Sequence, residues 1–140
     1  MINFNKYDII GIIHFAAYKC VGESVENPML YYRNNLISMI NLLSLIEQYK
    51  INNLVFSSSC TVYGQQDVLP ITENTILSNA NCPYGNTKQI CEEMIRDLCI
   101  SNKNLNSIIL RYFNPIGAHS SGLLGELPIN TPQNLLPYII

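Results

Sequence analysis

Short apolar runs alternate with helical stripes along the chain. Ile9-Ile10-Gly11-Ile12-Ile13-His14-Phe15 is rich in β-branched residues and shows no polar alternation. That pattern predicts a strand buried on both faces. A polar, glycine-containing stretch follows, through Asn27-Pro28. Leu36, Met39, Ile40, Leu43 and Ile46 then recur at helical spacing, which predicts an amphipathic helix over 28–49. Asn53 to Phe56 reads as a second buried strand. Residues 60–82 keep neither period; irregular stretches beyond ~12–15 residues are uncommon in compact domains and often functional. Pro83 suits the first turn of a helix, which Cys91, Ile95 and Leu98 continue. Ser107 to Tyr112 is a third strand, and Asn134-Leu135-Leu136-Pro137 marks a candidate further element. The order β-α-β-α-β predicts a parallel sheet with helices on its faces and right-handed crossovers.

Composition narrows the class. A chain of 140 residues suits one domain, 1–140, and can bury a proper core. The net charge of −2 comes from 8 basic and 10 acidic residues with no basic stripe, which argues against a nucleic-acid partner. The cysteines Cys20, Cys60, Cys82, Cys91 and Cys99 are odd in number and form no C-x-x-C pair. They support neither a zinc site nor a disulfide framework, and a cytoplasmic, reducing setting fits. No apolar run is long enough to span a bilayer, so no membrane partner is expected. Asp8 and His14 break up the early apolar stretch, which does not read as a signal peptide.

Topology brings the unusual residues together. In an open α/β sheet, ligands bind beyond the carboxyl ends of the strands. The three predicted strands end in His14-Phe15-Ala16-Ala17, in Ser57-Ser58-Ser59 and in Tyr112-Phe113-Asn114-Pro115. The helix after the second strand starts at that same edge with Tyr84-Gly85-Asn86-Thr87-Lys88. Tyr84 and Lys88 are four apart and share a face. Cys91, Ile95 and Leu98 extend that face, so Lys88 falls on the inward stripe, unless it snorkels out to solvent. A phenol with a pKa near ~10 is a poor base, and a nearby ammonium favours its ionised form. With a serine hydroxyl on the same substrate oxygen, such a pair could take a proton from a sugar hydroxyl while a hydride leaves its carbon. Y-x-x-x-K alone is a weak signal. Tight packing accounts equally well for Ser57 and Ser58, and Phe15, Tyr112 and Phe113 taken singly read as core aromatics. The joint placement carries the reading.

At these residues the chain resembles the extended short-chain dehydrogenase/reductase superfamily. Within it, the chain is similar to the sugar-nucleotide 4-epimerases of the NAD-dependent epimerase/dehydratase family. The matching segments are "IIHFAAYKCVGESVENPMLYYRNN" (12–35), "VFSSSCTVYGQ" (55–65), "PYGNTK" (83–88), "LRYFNPIGAHSSG" (110–122) and "QNLLPYI" (133–139). The resemblance implies NAD as a tightly held cofactor and UDP-glucose and UDP-galactose as substrates, interconverted by transient oxidation at C4. By it, Tyr84 is the catalytic base, Lys88 tunes it and holds the nicotinamide ribose, and Ser59 bonds the substrate hydroxyl. Phe15, Ala16, Lys19, Asn34 and Phe113 would line the cofactor together with Ser59, Tyr84 and Lys88. Asn114, Asn134 and Leu135 would hold the sugar nucleotide. No role follows for Ser57 or Ser58.

Related 4,6-dehydratases carry Thr-Asp-Glu where this chain has Ser59-Cys60-Thr61. Dehydration needs an acid and a base there, so that reading is set aside. An epimerase for N-acetylated sugars and a non-catalytic binding module remain alternatives, though both Tyr84 and Lys88 are retained. Complete members, expected to be homodimers, begin with a strand, a G-x-x-G-x-x-G turn and a helix that holds the pyrophosphate. Here only Gly11 precedes Gly22. The expectation is therefore a partial Rossmann-like doubly wound sheet, the central β-α-β-α-β portion, lacking the N-terminal Gly-rich unit and the C-terminal substrate domain. Alone, such a chain is expected to be inactive and poorly soluble, with an unpaired edge at Ile9–Phe15.

Overall fold

In the computed structural model, residues 6–125 are described. Strand β1 (Ile12–His14), strand β2 (Asn53–Ser57) and strand β3 (Asn106–Leu110) form a parallel sheet in the order β1-β2-β3. Ile12 sits opposite Leu54, and Phe56 lies between His14 and Ile109. The parallel pairing and the β-α-β-α-β order along the chain are the predicted ones. β1 is shorter than the predicted Ile9–Phe15, and side-chain chemistry explains its start. The Asn53 side-chain amide donates to the Ile10 carbonyl (2.7 Å), taking an oxygen that ladder pairing would use. A methyl group on Gly11 would lie 3.1 Å from the Asn53 Cβ, so the two backbones approach closely there.

Four helices connect the strands. Between β1 and β2 run helix α1 (Val21–Glu26), helix α2 (Pro28–Tyr31), a π-helical turn (Tyr32–Leu36) and helix α3 (Ile37–Tyr49). Helix α4 (Pro83–Ser101) lies between β2 and β3. Both crossovers run the same way across the sheet, so right-handed connections put every helix on one face. The expectation of a first strand buried on both sides is corrected, since Ile13 is mostly exposed. Leu54 and Phe56 point into the helical layer and are buried, whereas Ile13 and Ile108, in the register between them, are mostly exposed.

The core is built from Met39, Leu43 and Ile46 of α3, Leu54 and Phe56 of β2, and Cys91 and Ile95 of α4. The predicted helix over 28–49 forms, with one change. Its inward residues Tyr31, Asn35, Met39 and Leu43 are spaced strictly by four. An α-helix advancing about 100° per residue would carry that series off the face. The wider π turn, a feature often met at functional sites, takes up part of the drift. The helix ends at Lys50, which adopts the left-handed conformation (φ 54°).

Residues 60–82 open with a 3₁₀ turn (Cys60–Tyr63) and are otherwise irregular, as predicted. Side chains hold the segment. Gln89 of α4 donates to the carbonyls of Val62 (2.8 Å) and Ser78 (2.6 Å), and the Ser78 hydroxyl lies 2.9 Å from the Tyr63 carbonyl. The candidate element at 134–137 lies outside the described residues. Among those described, no helix is long and apolar enough to cross a membrane.

Two isoleucines on α4 test this packing. Ile95 is fully buried, whereas Ile100 is 61% exposed. Ile95→Ala should cost about 2–5 kcal/mol, the usual range for a large-to-small core change. Ile100→Ala should stay within about 0.5 kcal/mol. Urea denaturation of the two variants measures both, and equal losses would contradict the placement of α4.

Candidate active site

The three serines that close β2 do three different things. Ser57 contributes its backbone: its carbonyl accepts from Lys88 Nζ at 2.8 Å. The Ser58 hydroxyl turns inward and donates to Glu92 Oε1 at 2.6 Å. Ser59 caps the 3₁₀ turn, where its Oγ accepts from the Thr61 amide (3.2 Å) and lies 3.0 Å from the Thr61 hydroxyl. A hydroxyl has one donor and two acceptor positions. With its acceptor side turned to Thr61, Ser59 keeps its own O–H for a partner in the cleft that it and Tyr84 both line.

Helix α4 delivers Tyr84 and Lys88 together. Its N-cap is Cys82, whose sulfur accepts from the Gly85 amide (3.4 Å), and Pro83 occupies the first helical position. Tyr84 is buried, its ring edge-on to Tyr31 with centroids 6.4 Å apart. Lys88 is only 4% exposed, so it does not snorkel out. Its ammonium sits 4.7 Å over the Phe56 ring and 5.9 Å from the Tyr84 ring centre.

The electrostatics differ from the expectation that Lys88 lowers the phenol pKa. Burial pushes Tyr84 above the ordinary tyrosine value, and the thiols of Cys60 and Cys82 add to that. The Ser59 hydroxyl, a donor that favours the phenolate, works against it without reversing it. Burial holds Lys88 below the usual lysine range, with Cys91 opposing. Burial, followed by the Lys88 charge, also lowers the pKa of His14, whose ring stacks on Phe56 at 6.0 Å.

A cleft of about 600 Å³ opens at this edge. Phe15, Lys19, Ser59, Tyr84, Phe113 and Asn114 all line it. Lys88 lies under its floor, on the Ser57 carbonyl. Ala16 is exposed beside Phe15 in the segment after β1 and does not line the cleft. Asn34 stands exposed on the π turn, outside the lining, and donates to Asn35 Oδ1 at 3.0 Å. Asn134 and Leu135 lie outside the described residues. No group of three or more metal-ligating side chains occurs among the described residues.

Several residues at the site were not singled out from sequence. Asn35 is 3% exposed. It accepts from the Tyr18 amide (2.9 Å) and donates to the Tyr18 carbonyl (3.1 Å) and to Thr87 Oγ1 (3.1 Å). Thr87 in turn donates to the Tyr84 carbonyl at 2.7 Å. Asn35 thereby ties the segment after β1 to the first turn of α4. Glu92, 1% exposed, receives a two-pronged contact from Arg111, Nε to Oε1 at 3.0 Å and Nη2 to Oε2 at 2.7 Å. Spacing held a signal for Glu92, whereas Asn35 keeps its place on the inner face only through the π turn. Asn35 sits four residues from Tyr31 and from Met39 on the inward stripe, and Glu92 sits four residues after Lys88.

The arrangement can pass a proton between a buried phenol and a ligand hydroxyl held by Ser59. The model of the NAD dependent epimerase/dehydratase family matches residues 2–138. UDP-glucose 4-epimerase of Homo sapiens is 51% identical over 136 residues, which are 97% of this chain and 39% of that protein. UDP-glucose 4-epimerase of Bifidobacterium longum, solved in complex with NAD+ and UDP, superposes with a TM-score of 0.92 at 46% identity. That match covers 97% of this chain and 41% of the other. The Stenotrophomonas maltophila enzyme, with bound NAD and formylated UDP-arabinopyranose, gives 0.88 at 47% identity, over 94% of this chain and 39% of its own. The chain thus spans about two fifths of the length of these three relatives.

The lowered pKa of His14 sets a sign for pH dependence. Around the ordinary histidine value of 6.5 the unfolded chain binds more protons than the folded one, so stability rises with pH there. Full stability is present above that value and is lost as pH falls towards the lowered folded value. The urea midpoint should therefore drop between about pH 7.5 and 5.5. His14→Gln should remove that part of the drop, and an unchanged slope in the variant would assign it to other groups.

Proposed function

This chain belongs to the NAD dependent epimerase/dehydratase family, and on that premise we propose that it carries the proton-transfer site of a UDP-glucose 4-epimerase working through NAD. The observation that supports this most directly is that Ser59 and Tyr84 line one cleft flanked by Phe15 and Phe113, with the Lys88 ammonium held behind them on the Ser57 carbonyl. The identity of about one half to UDP-glucose 4-epimerases over nearly the whole chain points the same way.

The cleft suits the nicotinamide end of a dinucleotide. Serines leave room for a flat ring to approach the strand end, and Phe15 and Phe113 offer apolar walls. Lys88 spends one of its three N–H groups on the Ser57 carbonyl and keeps two for ribose hydroxyls. Ala16, Lys19 and Asn34 complete the cofactor side in this reading, and Asn114, Asn134 and Leu135 hold the sugar nucleotide. NAD, when bound, supplies the hydride acceptor at C4 and a positive ring charge that favours the phenolate.

The chain's own residues handle the proton. Ser59 donates to the hexose O4 and fixes it beside Tyr84. Tyr84 takes the hydroxyl proton as the C4 hydride leaves, then returns it when the hydride comes back to the other face of the 4-keto sugar. Burial makes the phenol a poor acid in the empty cleft, so proton uptake depends on the charge brought by the cofactor. A dehydratase would need an acid and a base beyond Ser59. Cys60 and Thr61 supply neither, and the Thr61 hydroxyl is turned to Ser59. The same reading includes a cytoplasmic setting, in keeping with five free cysteines, and a homodimer for the complete enzyme.

The test is a chimera in which this chain replaces the matching segment of the human relative. It should interconvert UDP-galactose and UDP-glucose. Tyr84→Phe should lower kcat by roughly 10²–10⁴-fold, the usual worth of a general acid–base group, while NAD stays bound. Near-normal turnover by that variant would remove Tyr84 from the mechanism.

A further inference from the structure

Glu92 is a carboxylate with no role in the proton transfer, yet it lies on the same face of α4 as Tyr84 and Lys88, one turn beyond Lys88. It is 1% exposed. Three bonds converge on it: Ser58 Oγ at 2.6 Å, Arg111 Nε at 3.0 Å and Arg111 Nη2 at 2.7 Å. Ser58 itself lines the cleft, and Arg111 is one residue from it. Ser58 directly precedes Ser59. Arg111 directly precedes Tyr112 and Phe113, and its guanidinium lies 4.9 Å over the Tyr63 ring. Tyr63 in turn stacks on Phe113, with centroids 6.4 Å apart.

We propose that Glu92 is a positioning residue for the reaction inferred above: through Ser58 it sets where Ser59 meets Tyr84, and through Arg111 and Tyr63 it sets the Phe113 wall. The inference rests on the proposed function for its catalytic consequence, but not for its geometry. The backbone supports it. The Ser58 amide donates to the Leu110 carbonyl (2.8 Å) and the Cys60 amide to the Tyr112 carbonyl (2.7 Å), so the two strand ends move as one piece. That piece is anchored to the helix bearing Tyr84 through Glu92 and through Lys88 on the Ser57 carbonyl. A buried ion pair is poor evidence of stabilisation in itself, because apolar residues of similar volume often serve as well. Its position, tying both cleft-lining strand ends to one helix, is better explained by alignment of the site.

The test uses the full chain labelled with ¹³C at tyrosine Cζ, the Tyr84 signal being assigned from Tyr84→Phe. Ser58→Ala cuts only the serine arm and leaves the Glu92–Arg111 pair whole, so it remains informative should Glu92→Gln fail to fold. Both variants should move the Tyr84 signal, and raise its titration midpoint, in the direction of Ser59→Ala. Ser58→Ala should add nothing further in the Ser59→Ala background. A purely structural role would lower the melting temperature of Ser58→Ala and leave the Tyr84 signal where it was. That result, or fully additive shifts in the double variant, would overturn the proposal. In the chimera, Ser58→Ala should lower kcat by up to about 10²-fold with little change in KM, as expected for a misplacement of about 1 Å. An inactive parent chimera with intact coupling at Tyr84 would defeat the proposed function and leave the positioning role standing. An active one without coupling would do the reverse.

Discussion

A buried ammonium and a buried carboxylate stand one turn apart on the inner face of α4, and the rest of the site is arranged around satisfying them. Leaving either unpaired would cost about 3–5 kcal/mol, against the roughly 0–1 kcal/mol of an exposed pair. Lys88 is met by the Ser57 carbonyl and the face of Phe56. Glu92 is met by Ser58 and Arg111. All these partners come from the carboxyl ends of β2 and β3. The helix can therefore dock in one way only, and that way leaves Tyr84 beside Ser59.

Close approach is the second requirement. A methyl group on Gly85 would lie 3.1 Å from the Thr61 carbonyl oxygen and 3.1 Å from the Ala80 Cβ. The first turn of α4 thus lies against the backbone of the 3₁₀ turn. Small serines at 57–59 serve the same end, since each bonds without holding the helix away. Ser59 caps one of these turns and lines the same cleft as the phenol carried by the other. Asn35 does the equivalent work on the far side, joining Tyr18 and Thr87 through the π turn.

Much of this was legible along the chain. The apolar runs at Ile9–Phe15, Asn53–Phe56 and Ser107–Tyr112 announced the three parallel strands, though the burial their lack of alternation suggested is met on one face only. The inward place of Lys88 followed from its spacing to Cys91 and Ile95. Glu92 was hidden because it is followed by Glu93 and looks like part of a solvated face. Asn35 was hidden in the polar run Arg33-Asn34-Asn35, where an α-helical period does not predict which residue turns inward. Only the π turn settles that Asn35 is buried and Asn34 exposed.

The sequence by itself determined the order of elements, the edge at which Ser59, Tyr84 and Phe113 gather, and the family resemblance carried by "SSSCTVYG" and "LRYFNPIGAHSSG". Those depend on local period and on the topology of parallel sheets, both of which one dimension can encode. Tertiary structure alone decided the division of labour among the three serines, the pairing of Glu92 with Arg111, the one-sided helical layer and the upward push on the Tyr84 phenol. The reason is physical. Desolvation and hydrogen-bond partnership depend on which atoms crowd a group in space. Arg111 and Ser58 on Glu92, Ser57 on Lys88 and Thr87 on Asn35 come from 19 to 52 positions away.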